Sequence, residues 1–317
     1  MNFCDFLKEK RILHGLTQSE IVNSLMLLDE SFNTLTIITY GRWERGVTSP
    51  SIKKMLIISR FFNVNWRVFF EKIDLKLSKT QILEFESWLD GYKQTGKVHS
   101  NIGYNSARPI KHYVDKCDID NPLHIKVDRG NLDKIRQFES KVMGLKKEMS
   151  HENFISWINS GNVSSLIYYT NNNETLNIEA HSTILLFPES QFNNALKHFM
   201  DNEGIVDLED VSTTDDEPLC IFLHSCVYHD EEWIDYVFDF VIKKIIEDWR
   251  ISNIIISSYT QEASFRNEVT FKAEKIGTRL NENYKKPVLE RILRISSLDF
   301  LSQHGIVKKI KSRNIIF

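Results

Sequence analysis

The spacing of apolar residues changes once along these 317 residues, and that change limits what the chain can fold into. Up to about residue 95, apolar side chains recur every three or four positions, the period of an amphipathic helix. From Leu123 onward, short apolar runs alternate with helical stretches, the pattern of a mixed α/β sheet. The length fits about two domains. With 42% apolar and 26% charged residues, the chain can build packed cores and is not globally disordered. We therefore expect an α+β protein in three parts: helical residues 1–75, a helix plus linker over 76–122, and an α/β domain over 123–317.

Charge separates the parts weakly. The chain carries a net charge of −3, yet residues 1–72 hold ten Lys/Arg against seven Asp/Glu. A mildly basic N-terminal unit on an acidic body is compatible with nucleic-acid binding by the first part alone. Cys4, Cys117, Cys220 and Cys226 form no CxxC pair, which argues against a disulfide framework and for a reducing cytoplasm. No apolar run reaches membrane-spanning length and no signal segment opens the chain, so no membrane association is expected.

Within the first part, the pattern predicts five helices. The first runs from Phe3 to about His14 and stops at Gly15. Thr17-Gln18-Ser19-Glu20 is a capping box that opens the second, with Ile21, Val22 and Leu25 inward. Thr36 is a suitable N-cap for the third and Gly46 a suitable terminator. Ser49-Pro50-Ser51 opens the fourth, and Asn63-Val64-Asn65 turns into the fifth. Over residues 78–95, Ile82, Phe85, Leu89 and Tyr92 make one apolar stripe, which either packs within the chain or pairs two subunits.

The residues LKEKRILHGLTQSEI (7–21) and TYGRWERGVTSPSIKKMLIISRFFNV (39–64) resemble the lambda-repressor/Cro type of DNA-binding domain, the XRE-like helix-turn-helix family. The resemblance implies that the helix beginning at Thr36 is the recognition helix, lying in a major groove. On it Tyr40 and Trp43 face inward, while Ile37, Ile38, Thr39 and Arg42 point out. Isoleucines there can touch thymine methyl groups, and Arg42 can present a fork to guanine. The alternative for Ile37 and Ile38 is packing beneath the stretch 23–35. Gly41 would allow a close backbone approach. By position, Gln18 matches the family's phosphate-contacting glutamine, and Lys53 and Lys54 are candidate phosphate contacts or an ordinary solvated face. Arg11 and Glu44 match a structural ion pair. Gln18 and Glu44 are 26 residues apart, wider than the family pattern, so the stretch 23–35 lengthens the second helix or the turn.

After residue 123 the expected order is a strand (123–127), a helix (132–144), a hairpin (163–170 and 176–187), a helix (189–200), a central strand (219–229), a long helix (231–249), a strand (251–259), a helix (262–276), two strands (278–284 and 288–296) and a helix (298–312). This order is similar to that of the GNAT acyltransferases, with residues 254–277 matching a strand and a helix that ends in a lysine-x-glycine turn. Such enzymes hold the pyrophosphate of acetyl-CoA on glycine-rich backbone at a helix N-terminus. Here Tyr228-His229-Asp230-Glu231-Glu232 has no glycine and places three carboxylates there. Each such charge repels an anion by about 1 kcal/mol or more at about 4–6 Å. The expectation is a GNAT-like domain that is not an enzyme, has no catalytic residue and binds no metal or cofactor. His224, Cys226, His229 and Asp230 cluster in sequence, but strand alternation would put His224 and Cys226 on one face and His229 on the other. Cys220 and Cys226 are too far apart on one strand for a disulfide.

The combined expectation is a sequence-specific transcriptional regulator bound to a double-stranded DNA operator. It would act as a homodimer, since one such domain reads a half-site. Its GNAT-like domain would oligomerise or sense a small molecule or protein. The alternatives are a DNA-targeted acyltransferase and an antitoxin or phage-type regulator that captures a protein partner.

Overall fold

A computed structural model describes residues 1–102, 151–172, 175–201, 216–228, 232–281 and 287–312. The strand expected at 123–127 and the helix expected at 132–144 lie outside the described residues. The chain divides into two compact units. The first comprises Met1–Ser87, Val241–Trp249 and Ser297–Phe317; the second comprises Trp88–Phe240 and Arg250–Ser296. The expected boundaries follow chain order, whereas the first unit also takes in the helical end of the chain.

In the first unit, α1 (Phe3–Leu13) buries Phe3, Phe6 and Leu7. Thr17 caps α2 (Gln18–Leu28) through a reciprocal box: its Oγ1 accepts from Glu20 N at 3.2 Å, and its own N–H donates to Glu20 Oε2 at 2.7 Å. The residues between α2 and the next helix form a 3₁₀ turn, Glu30–Phe32, anchored by the fully buried Phe32. Thr36 Oγ1 accepts from Thr39 N and starts α3 (Ile37–Glu44), and Gly46, at φ 68°, takes the left-handed conformation after it. Ser51 caps α4 (Ile52–Phe61) and Asn65 caps α5 (Trp66–Lys72). Phe3 and Phe6 meet Phe69 edge-on, which ties α1 to α5.

Helix α6 (Lys79–Ile102) extends seven residues beyond the expected end at 95. Two short helices near the C-terminus, α11 (Ser297–Leu301) and α12 (His304–Ser312), replace the single helix expected at 298–312 and pack on this unit. Lys311 Nζ donates to the carbonyls of Phe70 and Ile73, satisfying the end of α5, and Ser78 N donates to His304 Nδ1 at 2.8 Å.

Among its described residues, the second unit holds six strands in the order β1-β2-β3-β4-β6-β5. They are β1 (Val163–Asn172), β2 (Thr175–Pro188), β3 (Leu219–Tyr228), β4 (Ile251–Ser258), β5 (Glu274–Asn281) and β6 (Val288–Ser296). All neighbours are antiparallel except β3 and β4. Helices α7 (His151–Asn159), α8 (Phe192–Asp201), α9 (Glu232–Glu247) and α10 (Gln261–Phe271) connect or flank them. The residues over 262–276 do not form one helix: α10 ends at Phe271, Lys272 takes a left-handed conformation, and Lys275-Ile276-Gly277 lies in β5. One sheet face packs on α7 and α8 through Trp157, Leu185, Phe187, Phe192, Phe199, Phe222, Ile255 and Ile292. The other meets Trp233, whose Nε1 donates to Ser182 Oγ at 3.0 Å. In the same unit Trp88 stacks on Tyr92, meets Phe238 and Phe271 edge-on, and donates to Asn267 Oδ1. No described helix is long and apolar enough to cross a membrane.

Candidate functional site

Helix α3 carries two kinds of side chain. Tyr40 is fully buried and Trp43 nearly so, whereas Ile37 is 48% and Ile38 75% exposed. Thr36 and Arg42 are exposed and Thr39 is half-buried. No hydrogen bond or ion pair engages the Arg42 side chain among the described residues. Ile37 and Ile38 therefore do not pack under the 23–35 stretch, whose own buried apolar residues are Leu25, Phe32 and Leu35.

Behind α3 lies a polar knot. Arg11 Nε donates to Glu44 Oε1 at 2.5 Å and Arg11 Nη2 to Oε2 at 3.2 Å, while Gln18 Nε2 donates to the same Oε2 at 2.6 Å. One carboxylate thus joins α1, α2 and α3. The hydrogen bond from Arg11 to Glu44 raises the guanidinium pKa further above its ordinary value. Burial, then the Glu44 charge, drives the Tyr40 phenol pKa far up. Gly41 leaves room for this arrangement: a Cβ there would sit 3.2 Å from Arg45 Nη1 and 3.3 Å from Gln18 Oε1.

Three of the residues expected to meet phosphate are held within the first unit. Gln18 is turned to Glu44. Lys53 Nζ pairs with Asp299 at 2.7 Å. Lys54 Nζ lies 5.4 Å from the centre of the Phe32 ring. The outward set that remains is Thr36, Ile37, Ile38, Thr39 and Arg42.

In the second unit, the parallel pair β3/β4 defines a fork. Its register runs from Leu219 opposite Ile251 to Phe222 opposite Ile255, and pairing stops there. Beyond that point β3 stays paired with β2 up to Tyr228 opposite Ala180, and β4 stays paired with β6 up to Ser258 opposite Arg291. Each strand keeps its outer neighbour and loses its inner one, so the backbone groups of Leu223–Tyr228 and Ile256–Ser258 on the inner edges are not bonded across the fork.

A bulge shapes one arm. Thr183 pairs with Ser225 and Ile184 with Leu223, so His224 is the extra residue. The bulge reverses the alternation read from sequence. His224 lies near Phe199 and Phe222 on the α8 face, at ring separations of 6.2 and 5.8 Å. Cys226 instead shares the other face with Ser182, whose hydroxyl donates to its sulfur at 3.2 Å. Burial pushes the Cys226 thiol up to about 11 and the Cys220 thiol up to about 12, so neither is a ready nucleophile. His229 and Asp230, which cluster with His224 and Cys226 in sequence, lie outside the described residues.

The α8 face at the fork's open end is polar. Arg279 on β5 stands opposite Glu290 on β6, with Nη2 2.5 Å from Oε2, and Asn281 Nδ2 donates to the same oxygen at 3.3 Å. The Arg279 guanidinium lies 4.8 Å from the centre of the Phe199 ring. Sequence reasoning missed these residues. The available signal was a charged residue placed in each of two adjacent strands, which does not reveal the face.

No family model matches this sequence, and no curated protein matches it. Among solved structures, the chain is similar to Arabidopsis thaliana NAA60 in complex with acetyl-CoA, at 8% identity over 54% of this chain and 96% of that one, TM-score 0.36. It is similar to FeeM, an N-acyl amino acid synthase from uncultured soil microbes, at 13% identity over 58% and 94%, TM-score 0.35. It is also similar to AtaTR bound with AcCoA, at 8% identity over 49% and 88%, TM-score 0.23. The sheet has a mixed strand order with a single parallel step, between β3 and β4. The expectation that the domain is not an enzyme is corrected. The structures it is similar to are a synthase and two proteins holding an acyl donor. The missing glycine concerns residues 229–231, outside the described set, and does not exclude catalysis.

Proposed function

We propose that this chain is a DNA-targeted acyltransferase, with the sheet of its second unit transferring an acyl group and α3 reading DNA. The fork between β3 and β4 is the observation that supports acyl transfer. Backbone N–H and C=O groups on its inner edges need hydrogen-bonding partners, because a polar backbone group shut away from water without one is costly. An extended chain of amides supplies alternating donors and acceptors, as a peptide does when it joins a strand edge. The pantetheine arm of an acyl thioester is such a chain, and it would bring the thioester carbonyl into the fork. An acceptor nucleophile then attacks that carbonyl; the new bond forms, the C–S bond breaks, and the thiol leaves with the acceptor's proton.

DNA reading rests on α3, an N-capped helix with exposed Ile37 and Ile38 and an unengaged Arg42 at its surface. Apolar contact with thymine methyl groups and a guanidinium fork on guanine give those side chains a use. Dimerisation belongs to the same proposal, because two copies would read two half-sites. Genome-wide mapping of bound DNA, with Arg42→Ala as control, tests this half: the variant is expected to lose its specific peaks, and unchanged peaks would remove α3 as the reading helix. Binding of acetyl-CoA tests the other half.

A further inference from the structure

On the α8 face of the sheet, two buried polar atoms have no hydrogen-bond partner among the described residues: Ser257 Oγ on β4 and Arg279 Nε on β5. Register places both on this face. Ser257 is opposite Ile292, Glu290 lies two residues from Ile292 on the same strand, and Arg279 is opposite Glu290. The Arg279 side chain is 10% exposed and that of Glu290 1%. Both polar contacts of Glu290 go to Oε2, from Arg279 and from Asn281. An unsatisfied buried polar group costs about 1–3 kcal/mol, and such groups are few in native proteins. Two on one face, beside a buried ion pair, mark a place prepared for a guest.

We infer that this cluster binds a free α-amino acid as its zwitterion, with the ammonium on Glu290, the carboxylate on Arg279 Nε and Ser257 Oγ as a third polar contact. Only the role of that amino acid as the acceptor rests on the acyl-transfer reading. Charge selects the ligand class. The site holds one buried cation and one buried anion. A zwitterion sets an opposite charge beside each and leaves the local sum at zero, whereas a lone anion would meet Glu290 and a lone amine would meet Arg279. Position supports the role. Glu290 precedes Arg291, the partner of the last β4 residue, Ser258, and so lies one step beyond the end of that pairing, at the open end of the fork, where an acyl group would arrive.

The test is calorimetric titration of the full chain, without any acyl donor, by each proteinogenic L-amino acid. The one that binds is then compared with its N-acetyl and carboxamide derivatives. Saturable binding of a free amino acid is expected, weaker by at least about tenfold for both derivatives, since each deletes one charge. Folded Glu290→Gln and Arg279→Gln variants are expected to lose binding to a similar degree. The subsite is overturned if no free amino acid binds, or if the derivatives bind as tightly as the parent. The derivatives probe the unaltered protein, so a misfolded variant does not blunt the test. Acetyl-CoA titrated in parallel separates the two ideas: amino-acid binding without acetyl-CoA binding keeps the subsite and removes acyl transfer, and the converse removes the subsite.

Discussion

Arg11 and Glu44, 33 residues apart in the chain, meet side by side with Nε 2.5 Å from Oε1, and Gln18 closes on the same carboxylate from α2. The Glu44 side chain is 5% exposed and that of Arg11 17%, so neither charge is well served by water. Removing one partner strands the other. Glu44→Ala is expected to destabilise the first unit by about 3 kcal/mol, read as a lower urea midpoint with an unchanged slope. Arg11→Ala added to it should cost much less than its effect alone, since the two residues act as one interaction. Additive losses would show that the knot is not a unit.

The capping box at α2 gives a smaller, local effect. Thr17→Ala removes the acceptor for Glu20 N and is expected to cost about 1 kcal/mol. Thr17→Ser keeps the oxygen and should cost far less. Equal losses in the two variants would argue that the Thr17 methyl group, rather than the cap, matters.

His304 makes the clasp of the C-terminal helix sensitive to pH. Its Nδ1 accepts from Ser78 N, which requires the neutral ring, and burial lowers its pKa below the ordinary 6.5. The unfolded chain therefore takes up the proton first as pH falls. The stability this group adds is present above about 6.5 and lost as pH drops through the lower folded value. Thermal unfolding of the native chain and of His304→Asn, compared between pH 7.5 and 5, should show a steeper fall for the native chain. Parallel curves would exclude His304 as the source.

Burial of the two sheet cysteines has a chemical readout. With thiols pushed up to about 11 and about 12, Cys226 and Cys220 carry about a thousandth or less of thiolate at pH 8. Both are expected to stay unmodified by iodoacetamide in the folded chain and to react in guanidinium, as mapped by peptide mass. Rapid labelling of Cys226 in the folded state would mean that the Ser182 and Trp233 side of the sheet opens.

Much of the fold was legible because helix and strand periods were clean. The strands over 163–172, 219–228 and 251–258 fell within a few residues of their apolar runs. Local competition hid other features. His224 inserts one residue into β3, so alternation counted through it puts Cys226 on the wrong face. Lys272 ends α10 in a left-handed conformation that no glycine announces. Helix α7 was not expected, though its Trp157 is buried. The return of α11 and α12 to the first unit is a long-range choice; Lys311 finds the carbonyls of Phe70 and Ile73 some 240 residues away, and spacing within a helix carries no trace of that. Arg279, Glu290 and Ser257 come from three strands and become neighbours only through register.

The fork between β3 and β4 is where an acyl donor would have to bind. Calorimetric titration of the full chain with acetyl-CoA, repeated with S-acetylpantetheine, measures whether that fork takes an amide-bearing thioester. Both compounds are expected to bind saturably in the micromolar range, since they share the amide-bearing arm that the fork would pair with. A proline at Leu223, on the unpaired inner edge, is expected to abolish binding while the circular dichroism of the fold is kept. Heats of dilution alone from both compounds would contradict the acyl-transfer reading.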